Sequence, residues 1–212
     1  MFGLDRRLRA RRAARECTQA VCPTCGRPLS HDGLDWLTGL LNRGAWDHHA
    51  GRLLAEGTGP IALLMADLDK LKWINDVHGH LAGDEALRRF ATVLRSVTRS
   101  QDLLARYGGD EFLALLPGTD ADAALDVAQR LNTELSGTRL DTVSARDGQV
   151  ALTGLSASVG VATRDADSLH ADSLHADGGL EPLLLAADAA LLAAKRGGRG
   201  RSCLSGTFQL RS

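Results

Sequence analysis

The stretch Arg106-Tyr107-Gly108-Gly109-Asp110-Glu111-Phe112 decides the fold, because it places two glycines and two adjacent carboxylates between short apolar runs. The flanking segments 103–107 and 112–116 have strand composition, and a short connection that contains glycine is a common hairpin loop. Glycine lets a ligand approach the backbone closely, and carboxylates are the hard oxygen ligands that Mg²⁺ prefers. The stretch therefore predicts a β-hairpin tip that handles phosphate and metal. Taken alone, it would also suit a tight acidic turn on a solvated hairpin.

A second acidic segment lies upstream and removes that ambiguity. The apolar run 61–66 ends in Asp67, Leu68 and Asp69. A run of this length predicts a buried strand, and α/β sheets place ligand sites at the carboxyl ends of strands. Asp67 paired with Asp110 would form a two-carboxylate Mg²⁺ site that carries nucleotide phosphates. Only this interpretation uses both segments.

With these residues in view, the chain resembles the GGDEF-domain diguanylate cyclases from about residue 34 to residue 201. The segments that carry the resemblance stand in family order at 35–43, 67–76, 79–84, 108–112, 156–160, 187–191 and 194–199. The resemblance implies an α/β fold similar to a nucleotidyl-cyclase palm, with a central, mostly antiparallel sheet flanked by helices. We expect a basic, cysteine-containing extension over 1–33, one GGDEF domain over 34–205 and a tail over 206–212. Apolar periodicity predicts helices over 84–97 and 120–135.

The resemblance also implies an activity. Diguanylate cyclases condense two GTP molecules into cyclic di-GMP and two pyrophosphates, with the 3′-hydroxyl of each GTP attacking the α-phosphate of the other. Each domain holds one GTP, so catalysis requires a homodimer. The alternative is a non-catalytic receptor for cyclic di-GMP or GTP that acts through its N-terminal extension. The intact hairpin motif favours the cyclase.

Site residues follow from the resemblance, position by position. Mg²⁺, or Mn²⁺ in its place, would be held by Asp67, the backbone carbonyl of Leu68 and Asp110, with Glu111 as a further ligand or base. The catalytic set is Asp110, Glu111 and Lys72. The phosphate and substrate contacts are Gly108, Gly109, Leu71, Lys72, Lys195 and Arg199. Guanine would be read by Asn75 and Asp84, with His80 beside them.

Several of these residues have a purely structural alternative. Asp84 follows Gly83 and precedes an amphipathic run, so it could simply cap that helix. Lys195 and Arg199 are expected in the last turn of a further helix that follows the 165–178 repeat, where cations are favourable in any case. Asp69 is expected to be structural, and the three tryptophans, Trp36, Trp46 and Trp73, are expected to be packing residues.

Three positions depart from the family pattern. Leu71 replaces a usual Phe and Leu192 a frequent Tyr, and both should mainly alter packing. Gly200 replaces a common Asn and is expected to loosen the segment that carries Arg199.

An inhibitory product site is predicted just before the hairpin. Arg99-Ser100-Gln101-Asp102 resembles the family's RxxD motif in content and spacing, and the resemblance implies a second arginine at Arg130. Arginine offers a planar fork for a phosphate or a guanine edge, and Asp102 accepts from guanine donors. The alternative is a helix-end pair between Arg99 and Asp102 that has no ligand.

Composition limits the remaining classes. The net charge of -1 argues against nucleic acid as a general partner, although residues 1–30 carry seven arginines. We expect no membrane span or signal peptide, and hence a cytoplasmic protein with reduced cysteines. Cys22 and Cys25 have the spacing of one Zn²⁺ knuckle, to which Cys17 or His31 could add ligands. Unligated thiols and a site shared by two chains stay open, and a five-residue repeat within 165–178 is interpreted as a surface loop.

Overall fold

The computed structural model describes residues 33–56, 59–164 and 179–205, which form five helices and seven strands. The helices are α1 (Arg43–Glu56), α2 (Leu71–His78), α3 (His80–Val97), α4 (Ala121–Gly137) and α5 (Leu180–Arg196). The strands are β1 (Ile61–Leu68), β2 (Leu103–Arg106), β3 (Glu111–Pro117), β4 (Arg139–Ser144), β5 (Gly148–Thr153), β6 (Ala157–Arg164) and β7 (Ser202–Leu204). The expected mixed α/β architecture, a central sheet flanked by helices, is confirmed.

The main sheet has five strands in the order β2-β3-β1-β6-β7. Its first three pairings are antiparallel, and β7 alone among the described strands runs parallel to its neighbour β6. Strand β1 lies at the centre, and all eight of its residues are buried. Both faces of this strand are apolar because helices cover the sheet on both sides.

The two faces of β1 lead to two separate cores. Leu64 and its even-numbered neighbours join the cluster formed with α3 and α4. Leu63 and Met65 join the opposite cluster, which contains Trp46 of α1 and Leu191 of α5. Successive strand side chains point to opposite faces, so Asp67 shares the α5 side with Leu63 and Met65. The Asp67 carboxylate therefore lies on the side of the sheet that α5, the helix with Lys195, covers.

Helix α5 packs directly on β6 because residue 160 is glycine. A Cβ at Gly160 would collide with the backbone of Ala187 and Leu191. Two of the sequence segments on which the family resemblance rests, 156–160 and 187–191, therefore meet at this contact. Close packing here fixes the position of the last turn of α5 relative to the end of β1.

The predicted helix over 120–135 is confirmed as α4, with the Asp120 side chain accepting a hydrogen bond from the Ala123 N–H as an N-cap. The helix predicted over 84–97 instead begins at His80. Residues 83 and 84 thus lie inside α3, and the interpretation of Asp84 as a helix cap is wrong. None of the helices in the described ranges combines the length and apolar character that a membrane crossing requires.

The expectation that all three tryptophans are packing residues is only partly correct. Trp46 is fully buried in the α1 side of the core, whereas Trp36 is 83% exposed and Trp73 is 55% exposed. Trp73 makes an edge-on ring contact with His78 at the end of α2. Aromatic composition alone does not distinguish a core position from a surface position of this kind.

Candidate active site

The hairpin tip is held in shape by Arg106. Its Nε and Nη2 donate to the Gly109 carbonyl oxygen at 3.2 and 2.7 Å, and the backbone N–H groups of Tyr107 and Gly108 both donate to the Glu111 carbonyl. A Cβ at Gly108 would lie 2.6 Å from Glu111 Oε2, while a Cβ at Gly109 would meet nothing within 4 Å. Gly108 therefore makes room for the Glu111 side chain, and Gly109 leaves the tip open to a ligand.

Arg106 also joins the hairpin to the turn at residues 35–39. Its Nη1 donates to both carboxylate oxygens of Asp35, at 3.3 and 3.4 Å, and Asp35 Oδ1 accepts from the backbone N–H and hydroxyl of Thr38. Burial pushes the pKa of Asp35 upward, but the Thr38 hydrogen bonds and the Arg106 guanidinium outweigh it, so this pKa lies below its ordinary value. The carboxylate stays charged and the tip stays anchored.

The acidic centre lies where β1 meets the hairpin. Asp67 of β1 stands directly opposite Glu111 of β3 in the strand register, and the backbone N–H of Leu68 donates to the Asp110 carbonyl at 3.1 Å. Lys195 Nζ donates to Asp67 Oδ2 at 2.7 Å. Burial is the main cause that raises the pKa of Asp67 above its ordinary value; the Lys195 hydrogen bond opposes this, and the charge of Asp110 adds to it. The two predicted metal-binding carboxylates are thus close enough to repel each other.

Asp69 has a different environment, and its contacts fit the structural role expected of it. Its carboxylate accepts from the hydroxyls of Ser156 and Ser158 and from the backbone N–H of Gly200 at 2.7 to 2.9 Å. These bonds tie the end of β1 to the start of β6 and to the segment after α5. Gly200 has φ 58°, a conformation open to Gly and to Asn, and it is hydrogen-bonded rather than loosened.

The turn between β1 and α2 suits phosphate. Lys70 has φ 61°, and the helix begins at Leu71, so the first backbone N–H groups of α2 lack intrahelical acceptors. The Lys72 side chain is 90% exposed and lies 3.4 Å from Asp76 Oδ2. Lys195 occupies the last turn of α5 as predicted, but the placement of Arg199 in that helix is wrong. The helix ends at Arg196, before Gly197 and Gly198, and Arg199 follows with φ 64°.

The predicted guanine readers lie on the packed pair α2 and α3. A Cβ at Gly83 would overlap Asn75 Oδ1, so the absence of a side chain at Gly83 admits the Asn75 amide against α3. Asp84 is the next residue of α3 and is partly buried, whereas His80 is exposed at the first turn. The Asn75 amide and the Asp84 carboxylate therefore lie at the same helix junction.

The predicted inhibitory motif lines a cleft of about 400 Å³. Asp102 is buried; its Oδ2 accepts from the Arg99 backbone N–H at 2.7 Å, and its Oδ1 has no partner among the described residues. Burial raises the pKa of Asp102, against the effect of the Arg99 hydrogen bond. Arg130 Nη2 donates to the Val97 carbonyl at the end of α3. The Arg99–Asp102 contact is therefore a backbone turn, to which the Arg99 charge adds, and it leaves one carboxylate oxygen unsatisfied.

The residues present fit Mg²⁺ by their donor chemistry. Mg²⁺ is usually held by one or two carboxylates together with substrate phosphates, and Asp67 and Asp110 supply such a pair. In the ranges 33–56, 59–164 and 179–205, no three His, Cys, Asp or Glu side chains group closely enough to hold a metal ion. Cys22, Cys25 and the 165–178 repeat lie outside the described residues, so the Zn²⁺ hypothesis and the loop interpretation stay predictions.

Three contacts around the candidate site were not predicted from the sequence: Asp35–Arg106, Arg95–Thr38 and Gly83–Asn75. Asp35 and Arg106 are 71 positions apart, and Arg95 Nη2 reaches the Thr38 carbonyl at 3.0 Å across a separation of 57. Such pairs leave no local periodic signal. The Gly83–Asn75 contact did leave a signal, since a glycine directly before a predicted amphipathic helix indicates either a helix boundary or a close approach.

Known proteins resemble this chain in sequence and structure. Residues 33–201 match the family described as "Diguanylate cyclase, GGDEF domain". Diguanylate cyclase DosC of Escherichia coli K12 is 37% identical over 172 residues, which are 80% of this chain and 34% of DosC. The response regulator PleD of Caulobacter vibrioides is 36% identical over 168 residues, 78% of this chain and 34% of PleD. The chain thus spans about a third of the length of these relatives.

A solved structure supports the same assignment. The GGDEF domain of DgcB from Caulobacter crescentus, in complex with c-di-GMP, superposes with a TM-score of 0.73 at 32% identity, covering 84% of this chain and 96% of that one. Fold, hairpin motif and sequence similarity define a nucleotidyl-cyclase-like GGDEF domain. The chain belongs to the GGDEF-domain diguanylate cyclase family.

Proposed function

We propose that this chain is a diguanylate cyclase that condenses two GTP molecules into cyclic di-GMP with release of two pyrophosphates. The observation that carries the proposal is the intact acidic centre: Asp110 of the hairpin tip lies close enough to Asp67 for its charge to act on that carboxylate. A receptor that only binds nucleotide does not need two carboxylates held against each other. Family relatives that include a named diguanylate cyclase support the assignment.

At the acidic centre, Asp67, the Leu68 carbonyl and Asp110 would hold Mg²⁺ or Mn²⁺. When bound, this ion neutralises phosphate charge and lowers the pKa of the attacking hydroxyl. Glu111 lies opposite Asp67 in the register, which supports a role as a further ligand or as the base for that hydroxyl. Arg106 keeps the tip in shape by binding the Gly109 carbonyl.

The triphosphate and base contacts extend from this centre along α2 and α5. The N–H groups at Leu71 and Lys72 face phosphate oxygens, and the Lys72, Lys195 and Arg199 cations offset charge on the β- and γ-phosphates. Guanine lies against the α2–α3 junction. There Asp84 accepts from its N1 and N2 donors, which adenine does not offer, and Asn75 adds an amide contact.

Catalysis requires two copies of the domain. One acidic centre holds one GTP, so the attacking hydroxyl of each nucleotide must come from a second domain that faces the first across a twofold axis. A homodimer is therefore the active species.

The cleft at Arg99 and Asp102 is proposed to bind the product and stop the reaction. Its buried, unpartnered Asp102 Oδ1 suits a guanine N–H donor, and the exposed Arg99 guanidinium suits phosphate. The DgcB domain has been crystallised in complex with c-di-GMP, which supports the proposal. Product bound here would tether two domains with their GTP sites apart. Arg130, bonded to the end of α3, is the candidate second arginine.

The test is to incubate the purified chain with GTP and Mg²⁺ and to identify the products by mass spectrometry. The cyclase predicts cyclic di-GMP and pyrophosphate, with a specific rate that rises with protein concentration as dimers form. The alternative receptor predicts nucleotide binding with GTP left unchanged. Unchanged GTP in the presence of correctly folded protein across a wide concentration range would reject the cyclase.

A further inference from the structure

The contact between Lys195 and Asp67 places a cation on an oxygen that the proposed metal ion needs. Lys195 Nζ lies 2.7 Å from Asp67 Oδ2, a strong charge-assisted distance. The Asp67 side chain is 10% exposed, and the Lys195 side chain is 30% exposed. The carboxylate is therefore fixed in the protein, while the ammonium has a route toward the solvent side.

The Asp67 carboxylate lies among more negative than positive side chains. The charges of Asp69 and Asp110 both act on Asp67, and Lys195 is the cation that acts on it. Among the described residues, Asp67 makes its ion pair with Lys195, whereas Lys72 pairs with Asp76 at 3.4 Å. A divalent cation at Asp67 and Asp110 would bring more than enough charge to replace the ammonium. An ammonium that stays on the same oxygen would repel that cation.

Lysine suits a position from which a cation must move. Its ammonium is a compact charge on a flexible four-carbon stem, whereas an arginine would bind the carboxylate through a fixed fork. Lys195 stands in the last turn of α5, and Gly197 and Gly198 follow it. Arg196 is exposed in the same turn. If Lys195 turns away, Arg196 still provides a positive charge that interacts favourably with the C-terminal end of the helix dipole.

We propose that Lys195 is an exchangeable counterion: it neutralises Asp67 until the divalent cation binds, and the displaced ammonium then contacts the triphosphate. The inference rests on the proposed function and deepens it, because it makes metal and nucleotide binding mutually dependent. Without nucleotide, the cost of breaking the Lys195–Asp67 ion pair weakens metal binding. With GTP present, the new contact between the ammonium and the phosphates offsets that cost. Thermodynamic linkage requires the metal ion and the nucleotide to increase each other's binding affinity by the same factor, typically about 5- to 150-fold.

The test measures Mn²⁺ binding by electron paramagnetic resonance, with and without a GTP analogue that carries a methylene bridge between its α- and β-phosphates. Without nucleotide, Lys195→Met should bind Mn²⁺ roughly tenfold more tightly than wild type, because the competing cation is gone. The analogue should tighten Mn²⁺ binding strongly in wild type and much less in Lys195→Met. Arg196→Met is the matched control: it removes an exposed cation from the same last turn of α5, and the ion pair to Asp67 stays with Lys195, so its nucleotide-free Mn²⁺ affinity should equal that of wild type.

A second variant guards against a folding defect. Lys195→Arg keeps the charge on Asp67 and should retain wild-type Mn²⁺ affinity without nucleotide while losing part of the coupling. Equal nucleotide-free Mn²⁺ affinities for wild type and Lys195→Met, or an equal gain in Arg196→Met, would overturn the exchange. If wild type makes cyclic di-GMP in that case, only the exchange fails; if wild type neither binds Mn²⁺ with the analogue nor makes product, the proposed function fails.

Discussion

Replacing Gly83 with alanine puts a methyl group where the Asn75 amide lies. A Cβ at residue 83 would stand 2.9 Å from Asn75 Cγ and closer still to Oδ1, so the amide has to leave its place. Alanine is favoured over glycine inside a helix by about 1 kcal/mol. An Asn75 side chain forced away from its rotamer costs about 0.5–1.5 kcal/mol. These two effects nearly cancel, so the free energy of unfolding should change little.

The loss in nucleotide recognition should be much larger than the change in stability. A displaced Asn75 would lose its proposed contact to guanine, and a polar group left unsatisfied in a buried site costs about 1–3 kcal/mol. That range corresponds to a value of kcat/KM for GTP about 5- to 150-fold below wild type. The assay is steady-state production of cyclic di-GMP, with thermal denaturation of the same samples.

Two comparisons make the Gly83→Ala result decisive. Gly51 lies inside α1, where a Cβ would meet nothing within 4 Å, so Gly51→Ala should gain about 0.5–1 kcal/mol in stability and keep wild-type kinetics. The double variant Gly83→Ala with Asn75→Ala should be no worse than Asn75→Ala alone, because both act on one contact. Wild-type kcat/KM in Gly83→Ala, or fully additive losses in the double variant, would refute the reasoning.

Three further predictions concern base choice, product inhibition and pH. Asp84→Ser should weaken the preference for GTP over ATP and yield mixed cyclic GMP-AMP, since the carboxylate proposed to accept from guanine N1 and N2 is gone; an unchanged nucleotide preference in competition assays would contradict this role. Arg99→Ala should keep the wild-type initial rate yet resist cyclic di-GMP added at the outset, and a wild type that is not slowed by micromolar to millimolar product would have no inhibitory site. Burial raises the pKa of Asp102, so the folded protein binds the proton of this carboxyl group more tightly than the unfolded chain does. Wild type therefore loses stability as the pH rises from the ordinary carboxyl pKa of 3.8 to the raised pKa of the folded state. Asp102→Asn should therefore exceed wild type in stability at neutral pH by a margin that shrinks toward pH 4; a margin in melting temperature that grows on acidification would count against it.

Local sequence signals predicted the elements that are determined by residues close together in the chain. The buried strand β1, the hairpin around Gly108 and Gly109 and the helix α4 each follow from composition, turn chemistry or apolar periodicity within a short window. These elements also carry the acidic centre. For this reason Asp67 and Asp110 could be paired from the sequence.

Tertiary contacts decided the positions that the sequence did not predict. Helix α3 begins at His80 rather than at residue 84, because Gly83 admits Asn75 instead of breaking the helix. Arg199 lies beyond α5 because two glycines end that helix. The Asp35–Arg106 pair depends on the distant approach of two loops, which periodicity does not encode.

The most direct test of the central claim compares cyclic di-GMP production by wild type, Asp110→Ala and Glu111→Ala at equal concentration. Asp126→Ala, an exposed carboxylate on α4, is the matched control. The hairpin tip contributes little packing, so all variants should melt near the wild-type temperature. Asp110→Ala and Glu111→Ala should lose about 4 kcal/mol or more of transition-state stabilisation, a rate about a thousandfold lower, while Asp126→Ala keeps full activity. Near-wild-type product from both hairpin variants would contradict the assignment of the acidic centre.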